Sequence, residues 1–162
     1  MLDATDHEIL AVLQQNARTP NAEIARQLGM APSAIFERIK KLEARGIVLG
    51  YEARLSPKAL GKSMLAFVFV RSEESAGAVE TGRLLAALPE VQEVHHVAGE
   101  DCFLVKVRVA DPEDMGRLLR EGLGHIPSIR STRTTIVLDS LKESAVLPLP
   151  AAEKTSEDQD AA

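Results

Sequence analysis

A change of pattern just after Gly46 divides this sequence into two parts that must fold differently. Before it, apolar residues recur every three or four positions in three short stretches that are separated by proline or glycine. That spacing predicts helices over about 5–16, 20–27 and 32–44. Three short helices joined by tight turns, the last two through a turn that contains glycine, form a helix-turn-helix arrangement.

The helix boundaries follow from residues that favour particular helix ends. Thr5 or Asp6 is the expected N-cap of the first helix, and Thr19, which precedes a proline, is the expected N-cap of the second. Gly29 is expected to end the second helix, and Pro32 to open the third. The third helix therefore follows the second after only a short turn.

The remainder of the chain alternates between strand and helix. Strands are predicted over 47–51, 64–71, 91–97, 102–109 and 128–138, and helices over 76–88 and 113–123. From residue 63 onward the order is β-α-β-β-α-β, the ferredoxin-like arrangement, so the fold class is α+β. The predicted division is a helix-turn-helix domain at 1–46, a strand and linker at 47–62, a βαββαβ domain at 63–144 and a disordered acidic tail at 145–162.

The net charge of −5 is unevenly distributed along the chain. Residues 1–62 carry nine Lys and Arg against seven Asp and Glu, whereas 63–144 carry nine against thirteen and 145–162 one against four. A phosphate backbone responds to the local surface potential, so the acidic total does not exclude DNA as a partner of the first part.

Apolar runs and cysteine usage predict a cytoplasmic protein with no membrane partner. The longest apolar run, 64–70, is far shorter than the ~20 residues of a transmembrane helix, and the N-terminus opens with acids rather than with the basic region of a signal peptide. The single cysteine excludes an intramolecular disulfide and any multi-cysteine zinc site. These features favour a reducing compartment.

The third helix combines an apolar stripe with an opposite face that suits double-stranded DNA. Ile35, Ile39 and Leu42 form the stripe. In a major-groove helix, small or polar residues near the N-terminus approach base edges, and cations farther along meet phosphates. Ser33, Ala34 and Glu37 are candidates for the first role, and Arg38, Lys40, Lys41 and Arg45 for the second. A solvated charged face has the same composition, but the position of this helix as the third of three favours DNA.

The first strand of the second part requires cover on both faces. Residues 64–70 are all apolar, so the side chains on both faces of this strand are apolar. Two helices, however, cover only one face of a four-stranded sheet. The same sheet from a second copy is the simplest cover for the other face. We therefore predict a homodimer through Leu65, Phe67, Val68 and Phe69.

Taken in order, these segments resemble the Lrp/AsnC, or feast/famine, family of transcription regulators. The resemblance lies in residues 2–10, 17–18, 23–25, 33–35, 38–43, 46–51, 60–61 and 132–138 and in the turn at Gly99, and it covers about residues 2–145. The sequence departs from the family pattern at Ala31, where serine is usual, and at Cys102, where an acidic residue is usual. The first departure leaves the third helix without a side-chain N-cap.

The resemblance implies a sequence-specific DNA-binding transcription regulator that responds to a small effector such as an amino acid. It implies that the second half is a RAM or ACT-like domain and that dimers assemble further into tetramers or octamers. It also places the effector at the turn after the second strand of that domain. Gly99 exposes backbone N–H groups able to hold a carboxylate, and Glu100 or Asp101 can hold an ammonium.

Thr132 and Thr134 lie on one face of the last predicted strand and are candidate pocket hydroxyls. From the residues alone, an ordinary hairpin turn with solvated acids and two sheet-surface threonines is the simpler interpretation of both segments. The effector site is therefore an expectation that depends on the resemblance.

Two other functions are compatible with the same outline. Sirohaem decarboxylase subunits resemble this family, but they usually carry paired arginines where this chain has Val48 and Leu49. A small-molecule sensor with a vestigial DNA-binding half would account for the uncapped Ala31 and the acidic Glu37.

We expect no catalytic residue, metal or cofactor. The sequence has no glycine-rich phosphate loop, His-Glu metal motif or Gly-x-Ser-x-Gly elbow. His95 and His96 are adjacent on a predicted strand and point to opposite faces, so they cannot share a metal. Cys102 is expected to be a small buried residue.

Overall fold

The computed structural model describes residues 2–74 and 79–150. The chain forms two compact units. The helical unit takes in the residues up to Ala53 and those from Ser144 onward, and the sheet unit is Arg54–Glu143. Within the described ranges, no helix has the length and apolar character needed to cross a bilayer.

Three helices make up the core of the helical unit and confirm the predicted arrangement. They are α1 (Ala4–Gln15), α2 (Asn21–Leu28) and α3 (Pro32–Ala44). Their apolar faces meet in one buried cluster, which comprises Ile9, Leu10, Ile24, Ala25, Ile35, Ile39 and Leu42. The predicted stripe of α3 is therefore its buried face.

The N-cap of α1 is Asp3, not Thr5 or Asp6 as the sequence suggested. The Asp3 carboxylate accepts a hydrogen bond from the Asp6 backbone N–H at 2.8 Å, and the Asp6 carboxylate accepts one from the Asp3 N–H at 3.3 Å. This reciprocal pair is a capping box, in which two otherwise unpaired N–H groups of the first turn are satisfied.

The N-cap of α2 also differs from the prediction. The Thr19 hydroxyl donates to the Asn16 carbonyl in the preceding turn at 2.8 Å, so Pro20 is the N-cap residue and supplies no side-chain bond. The other end of α2 is as expected, because Gly29 adopts a left-handed conformation with φ of 65° that favours glycine.

The strand predicted at 47–51 is not formed. Ile47 and Val48 instead continue from α3, with both backbone N–H groups directed at the Leu42 carbonyl, and their side chains pack against the helical cluster. A strand requires a hydrogen-bonded neighbour, and no described part of this chain pairs with these residues.

The sheet unit has the predicted order of elements. They are β1 (Met64–Ser72), α4 (Glu80–Ala86), β2 (Val91–His96), β3 (Phe103–Val109), α5 (Pro112–Arg117) and β4 (Ile129–Ile136). The strands form one antiparallel sheet in the order β2-β3-β1-β4. Part of the predicted helix at 76–88, namely 76–78, lies outside the described residues.

The second predicted helix of this unit, at 113–123, is not uniform. After α5 the chain passes through a wide π-type turn at Leu118–Gly122 and a 3-10 turn at Leu123–His125. Three glycines, at 116, 122 and 124, fall between Pro112 and His125, and each lowers the stability of a regular α-helix by about 1 kcal/mol relative to alanine.

Helices cover one face of the sheet, and the other, termed the open face, carries the remaining β1 side chains. Val68 is fully buried among the residues packed under the helices. Because strand side chains alternate, Phe67 and Phe69 lie on the open face with Leu65, and both phenylalanines are half-buried. Val68 is therefore removed from the predicted dimer surface, because it belongs to the core of a single chain.

Residues 145–150 differ from the predicted disordered tail, because they lie along the helical unit. The Gln14 side-chain amide donates to the Leu147 carbonyl at 3.1 Å, and its oxygen accepts from the Leu147 N–H at 2.7 Å. Leu149 packs half-buried against the helical cluster. The acidic composition of the whole tail obscured Leu149, which supplies apolar contact area near its start. Residues 151–162 lie outside the described part of the chain.

Candidate nucleic-acid interface and effector site

Helix α3 presents its predicted DNA-facing residues at the surface. The helix begins at Pro32 after the extended residue Ala31, which makes no side-chain capping bond, as the sequence indicated. Ser33 and Glu37 are exposed and Ala34 is half-buried near the N-terminus. The first turn therefore exposes small and polar groups, without a bulky side chain that would hold a base pair away.

The seven predicted residues do not form a single surface. A hollow of about 340 Å³ is lined by Asp6, Ala34, Glu37, Arg38, Lys41, Leu42 and Arg45. Lys40 lies on the other flank of α3, in a second hollow of about 400 Å³ that also includes Phe36, Glu43 and Tyr51. The structure thus brings Glu37, Lys41 and Arg45 together and separates Lys40 from them.

Arg38 is already engaged within the helical unit. One guanidinium nitrogen, Nη1, lies 2.7 Å from the Asp3 carboxylate and 2.7 Å from the Asp6 carboxylate. The pKa of Asp3 lies below its ordinary value, first because the Asp6 backbone N–H binds its carboxylate and then because Arg38 does. Arg38, predicted as a phosphate contact, instead ties α3 to the capping box of α1.

The other three cations of α3 are exposed. Lys40, Lys41 and Arg45 form no ion pair with any described residue. They remain available to an external anion, which is the property that a phosphate contact needs.

Tyr51 lies beside α3 and was not singled out in the sequence. Its hydroxyl donates to the Glu43 carboxylate at 2.9 Å. Burial of the phenol, followed by this bond to a carboxylate, raises the pKa of Tyr51 to about 12. Tyr51, the last residue of the strand predicted at 47–51, is thus fixed to the C-terminal half of α3.

The turn at Gly99 brings an acid and a base together. Gly99 has φ of 142°, a conformation open to glycine. The Asp101 carboxylate lies 3.2 Å from Nη2 of Arg133 on β4, and the Arg133 guanidinium sits 4.0 Å from the centre of the Phe69 ring. Arg133 was missed in the sequence, although an acidic turn predicted to bind a ligand is a reason to look for a nearby cation.

Thr132 and Thr134 share a face, as predicted, but it is not the face of this ion pair. Their partners across the sheet are Val70 and Val68, which face the helices. Arg133, between them, is directed to the open face. The structure therefore groups Asp101 with Arg133 rather than with the two threonines, and Glu100 is exposed beside them.

The remaining residues singled out in the sequence have structural partners. His95 contacts Glu93 at 3.2 Å on the open face, and His96 stacks on the ring of Phe103 on the opposite face, as strand alternation predicted. Cys102 is half-buried, and its Sγ accepts a hydrogen bond from the Ser72 backbone N–H at 3.4 Å.

Comparison with protein-family models gives two matches that together span most of the chain. The AsnC-type helix-turn-helix domain matches residues 2–43, and the Lrp/AsnC ligand binding domain matches residues 65–147. The chain belongs to the Lrp/AsnC family. As members of that family are transcription regulators, the chain is an effector-responsive, DNA-binding regulator of transcription.

Individual Lrp/AsnC proteins show the same likeness over nine-tenths or more of their length. The leucine-responsive regulatory protein of Haemophilus influenzae is 35% identical over 150 residues, covering 91% of this chain and 90% of that protein. A transcriptional regulator of Neisseria meningitidis, solved in complex with L-methionine, is 30% identical with a TM-score of 0.86, covering 93% of this chain and 98% of the other. The feast or famine regulatory protein of Mycobacterium tuberculosis, also complexed with L-methionine, is 31% identical with a TM-score of 0.83, covering 91% and 99%.

These Lrp/AsnC relatives do not favour the sirohaem decarboxylase interpretation, because each of them matches about nine-tenths of the chain and is named as a regulator.

Proposed function

We propose that α3 enters the major groove of an operator, with Ser33, Ala34 and Glu37 at base edges and Lys40, Lys41 and Arg45 at phosphates. The observation that supports this most directly is that the three cations of α3, with Lys41 and Arg45 on one flank and Lys40 on the other, are exposed and have no ion-pair partner among the described residues. Arg38 is left out of the set because two carboxylates already hold it.

The salt dependence of DNA binding tests the phosphate contacts. Lys41→Ala and Arg45→Ala should each make the slope of log affinity against log salt shallower by about one unit, on specific and unrelated DNA alike. Lys58→Ala, which removes an exposed lysine of the sheet unit, is the matched control and should leave the slope unchanged. If all three variants show the slope of the native chain, Lys41 and Arg45 do not contact phosphates.

Glu37 tests base recognition separately. Its carboxylate can accept from the cytosine amino group in the major groove, so Glu37→Ala should change which sequence is preferred in a selection from random DNA. If Glu37→Ala raises affinity equally for all sequences, Glu37 is a repulsive charge at the rim of the interface.

We further propose that the chain acts as a dimer that joins through the open face and can assemble into larger oligomers. The half-buried Phe67 and Phe69 provide apolar contact area on that face. Phe67→Asp should therefore shift sedimentation from dimer to monomer while each chain stays folded. Val68→Asp should unfold the sheet unit instead, because Val68 is buried within one chain. A dimer that survives Phe67→Asp would show that another surface joins the chains.

In the dimer, the two α3 helices are expected to address half-sites about 34 Å apart, or a multiple of that spacing, on one side of the duplex. Insertion of five base pairs between the half-sites rotates them to opposite sides and should abolish tight binding. Binding that tolerates the insertion would exclude this geometry.

We propose that the effector is an α-amino acid held at the Gly99 turn, with its ammonium at Asp101 and its carboxylate at Arg133. The two side chains offer one negative and one positive group 3.2 Å apart, which matches the two charges of a zwitterion. The L-methionine in the Neisseria and Mycobacterium structures supports an amino acid. Thr132 and Thr134 are assigned no contact, because their strand positions place them on the opposite face.

Calorimetric titration with L-methionine tests this assignment. Asp101→Asn and Arg133→Gln should each weaken binding by about tenfold or more, since each removes one charge-assisted hydrogen bond worth about 1.5–3 kcal/mol. Glu100→Gln, which neutralises the exposed acid of the same turn, is the control. Methionine amide, which lacks the carboxylate, should bind the native chain weakly and lose nothing further in Arg133→Gln. Equal affinity of the native chain for both ligands would contradict the role of Arg133.

The effector can alter DNA affinity only if it binds one assembly state more tightly than another. We therefore expect L-methionine to shift the sedimentation of the native chain and not that of Asp101→Asn. A DNA partner and a lone half-buried cysteine both support the cytoplasm as the place where this occurs.

A further inference from the structure

The sheet unit is inserted into the helical unit along the chain. The helical unit takes in the residues up to Ala53 and again the described residues 144–150, and the sheet unit is the intervening Arg54–Glu143. Two stretches of backbone therefore join the units, one at each end of the sheet unit. The first passes through residues 49–56, which form neither helix nor strand. Units joined by one irregular connection move independently by default, so stronger coupling depends on the second connection.

Glu143, the last residue of the sheet unit, attaches the second connection to that unit. Its carboxylate lies 2.6 Å from Nζ of Lys106 and 2.8 Å from Nη2 of Arg108, both on β3. Its backbone carbonyl accepts a hydrogen bond at 2.8 Å from Nη2 of Arg54, the first residue of the same unit. Both chain ends of the sheet unit are thus held together at β3.

The surroundings of the two β3 cations strengthen this attachment. The side chains of Lys106 and Arg108 are only 13% and 14% exposed, and a mostly buried cation that loses its partner becomes an uncompensated charge. The pKa of Glu143 lies below its ordinary value, first because Lys106 donates a hydrogen bond to its carboxylate. Lys106 has a second carboxylate partner in Glu93 at 2.9 Å, whereas Arg108 has no other among the described residues.

Four residues farther along, the same stretch is attached to the helical unit. The Leu147 peptide group forms two hydrogen bonds with the side chain of Gln14 on α1, at 3.1 and 2.7 Å, and Leu149 packs against the helical cluster. Arg38 in turn joins α1 to α3, because its guanidinium binds both carboxylates of the α1 capping box. The stretch therefore ends on a helix that is fixed to α3.

We propose that residues 143–147, termed the return connection, transmit changes of the sheet unit to α3 and so set how far the effector changes DNA affinity. This rests on the proposed function and assigns the route by which the state of the sheet unit reaches the DNA-binding helix. Two distant sites influence each other only if both bias the same structural states. A connection anchored at both ends transmits a displacement while it is short, and slack removes that coupling.

Insertion of Gly-Ser-Gly-Ser between Ser144 and Ala145 tests the return connection. The four residues add up to ~14 Å of reach and remove neither anchor. The matched control is the same insertion between Asp139 and Ser140, two exposed positions of the sheet unit that precede Glu143 and lie outside helix and strand. The control changes the length of the chain equally and leaves the return connection as it is.

DNA affinity is then measured with and without L-methionine. Where L-methionine changes the affinity of the native chain about fivefold or more, as in ordinary allosteric coupling, the insertion after Ser144 should reduce the change to less than about twofold. The insertion after Asp139 should keep it. Glu143→Gln, which removes the charge at the sheet anchor, should also reduce it, and all variants should bind L-methionine without DNA as the native chain does. An undiminished change after the Ser144 insertion would overturn the proposal.

Tyrosine fluorescence anisotropy tests the return connection without DNA or effector. Tyr51 is the only tyrosine, tryptophan is absent, and Tyr51 lies in the helical unit. A slack connection lets that unit rotate more freely, so the insertion after Ser144 should lower the anisotropy relative to the insertion after Asp139 in samples that sediment alike. Equal anisotropies would refute the coupling. If L-methionine leaves DNA binding by the native chain unchanged, the proposed effector response fails, while the anisotropies still decide whether the return connection couples the units.

Discussion

The link between Arg38 and the start of α1 predicts a large effect from one substitution at a partly exposed position. Arg38→Ala removes the guanidinium that lies 2.7 Å from both Asp3 and Asp6. The two acids differ in their surroundings, because the side chain of Asp6 is only 12% exposed and that of Asp3 is 54% exposed. Loss of the cation therefore leaves one poorly solvated carboxylate without its partner.

The magnitude follows from those exposures. A hydrogen bond to a charged group contributes about 1.5–3 kcal/mol, and solvent reduces that value at an exposed pair to about 0–1 kcal/mol. The bond to the exposed Asp3 belongs to the range of exposed pairs. The bond to the mostly buried Asp6 lies between the two ranges. We expect Arg38→Ala to lower the free energy of unfolding of the helical unit by about 1–2 kcal/mol.

The matched control is Arg26→Ala. Arg26 also forms a short ion pair, 2.6 Å from Glu23, but the side chain of Glu23 is 37% exposed, compared with 12% for Asp6. If burial of the carboxylate decides how much an ion pair stabilises the helical unit, Arg26→Ala should unfold at almost the same urea concentration as the native chain.

Tyrosine fluorescence makes the measurement specific to the helical unit. Tyr51 is the only tyrosine, tryptophan is absent, and Tyr51 lies in that unit. Urea titrations at one protein concentration, which keeps any oligomer constant, give the two differences in free energy. Equal losses for Arg38→Ala and Arg26→Ala would refute the reasoning that burial of Asp6 matters.

The pH dependence provides a further check on the same bond. The pKa of Asp3 is lowered from an ordinary value of 3.8 by the Asp6 N–H and by Arg38. A lowered folded pKa gives stability that is complete above the ordinary value and is lost as pH falls through the lowered one. The difference between the native chain and Arg38→Ala should therefore shrink below about pH 4.

Two other substitutions test individual contacts. The absorbance of Tyr51 should titrate near 12 in the native chain and at a lower pH in Glu43→Gln, because a neutral partner no longer disfavours the phenolate; coincident curves would show that burial alone raises the pKa. Gly82→Ala would place a Cβ 2.8 Å from the Phe103 ring and should destabilise the sheet unit by about 1–3 kcal/mol in circular-dichroism melts, whereas Gly50→Ala, with open space around it, should have little effect; similar melts would mean that the Phe103 ring yields without cost.

Local signals in the sequence were sufficient for the order of the elements, apart from the strand predicted at 47–51, which is not formed. Gly29 fixes the end of α2 and Pro32 fixes the start of α3, because the backbone preferences of these residues act within one turn. The alternation of β3, buried at every second residue, likewise follows from the period of a strand. The family resemblance was visible in the sequence for the same reason, because it depends on the order and spacing of such local features.

The tertiary structure decided which partner each charge and each face has. Arg38 has the sequence character of a phosphate contact, but its carboxylates lie 32 and 35 positions away. The same holds for Arg133, which meets an acid 32 positions earlier, and for Gln14, which binds a peptide group 133 positions later. Spacing along the chain carries no information about such pairs.

The two faces of β1 show the same difference between what the sequence determined and what the packing determined. The sequence established that β1 is apolar on both sides, whereas only the packing of the helices showed that Val68 is the buried side and Phe67 the open one. Local structure is fixed by backbone preferences over a few residues. Contacts between distant residues are fixed by how the completed elements pack, and the function of this chain depends on those contacts.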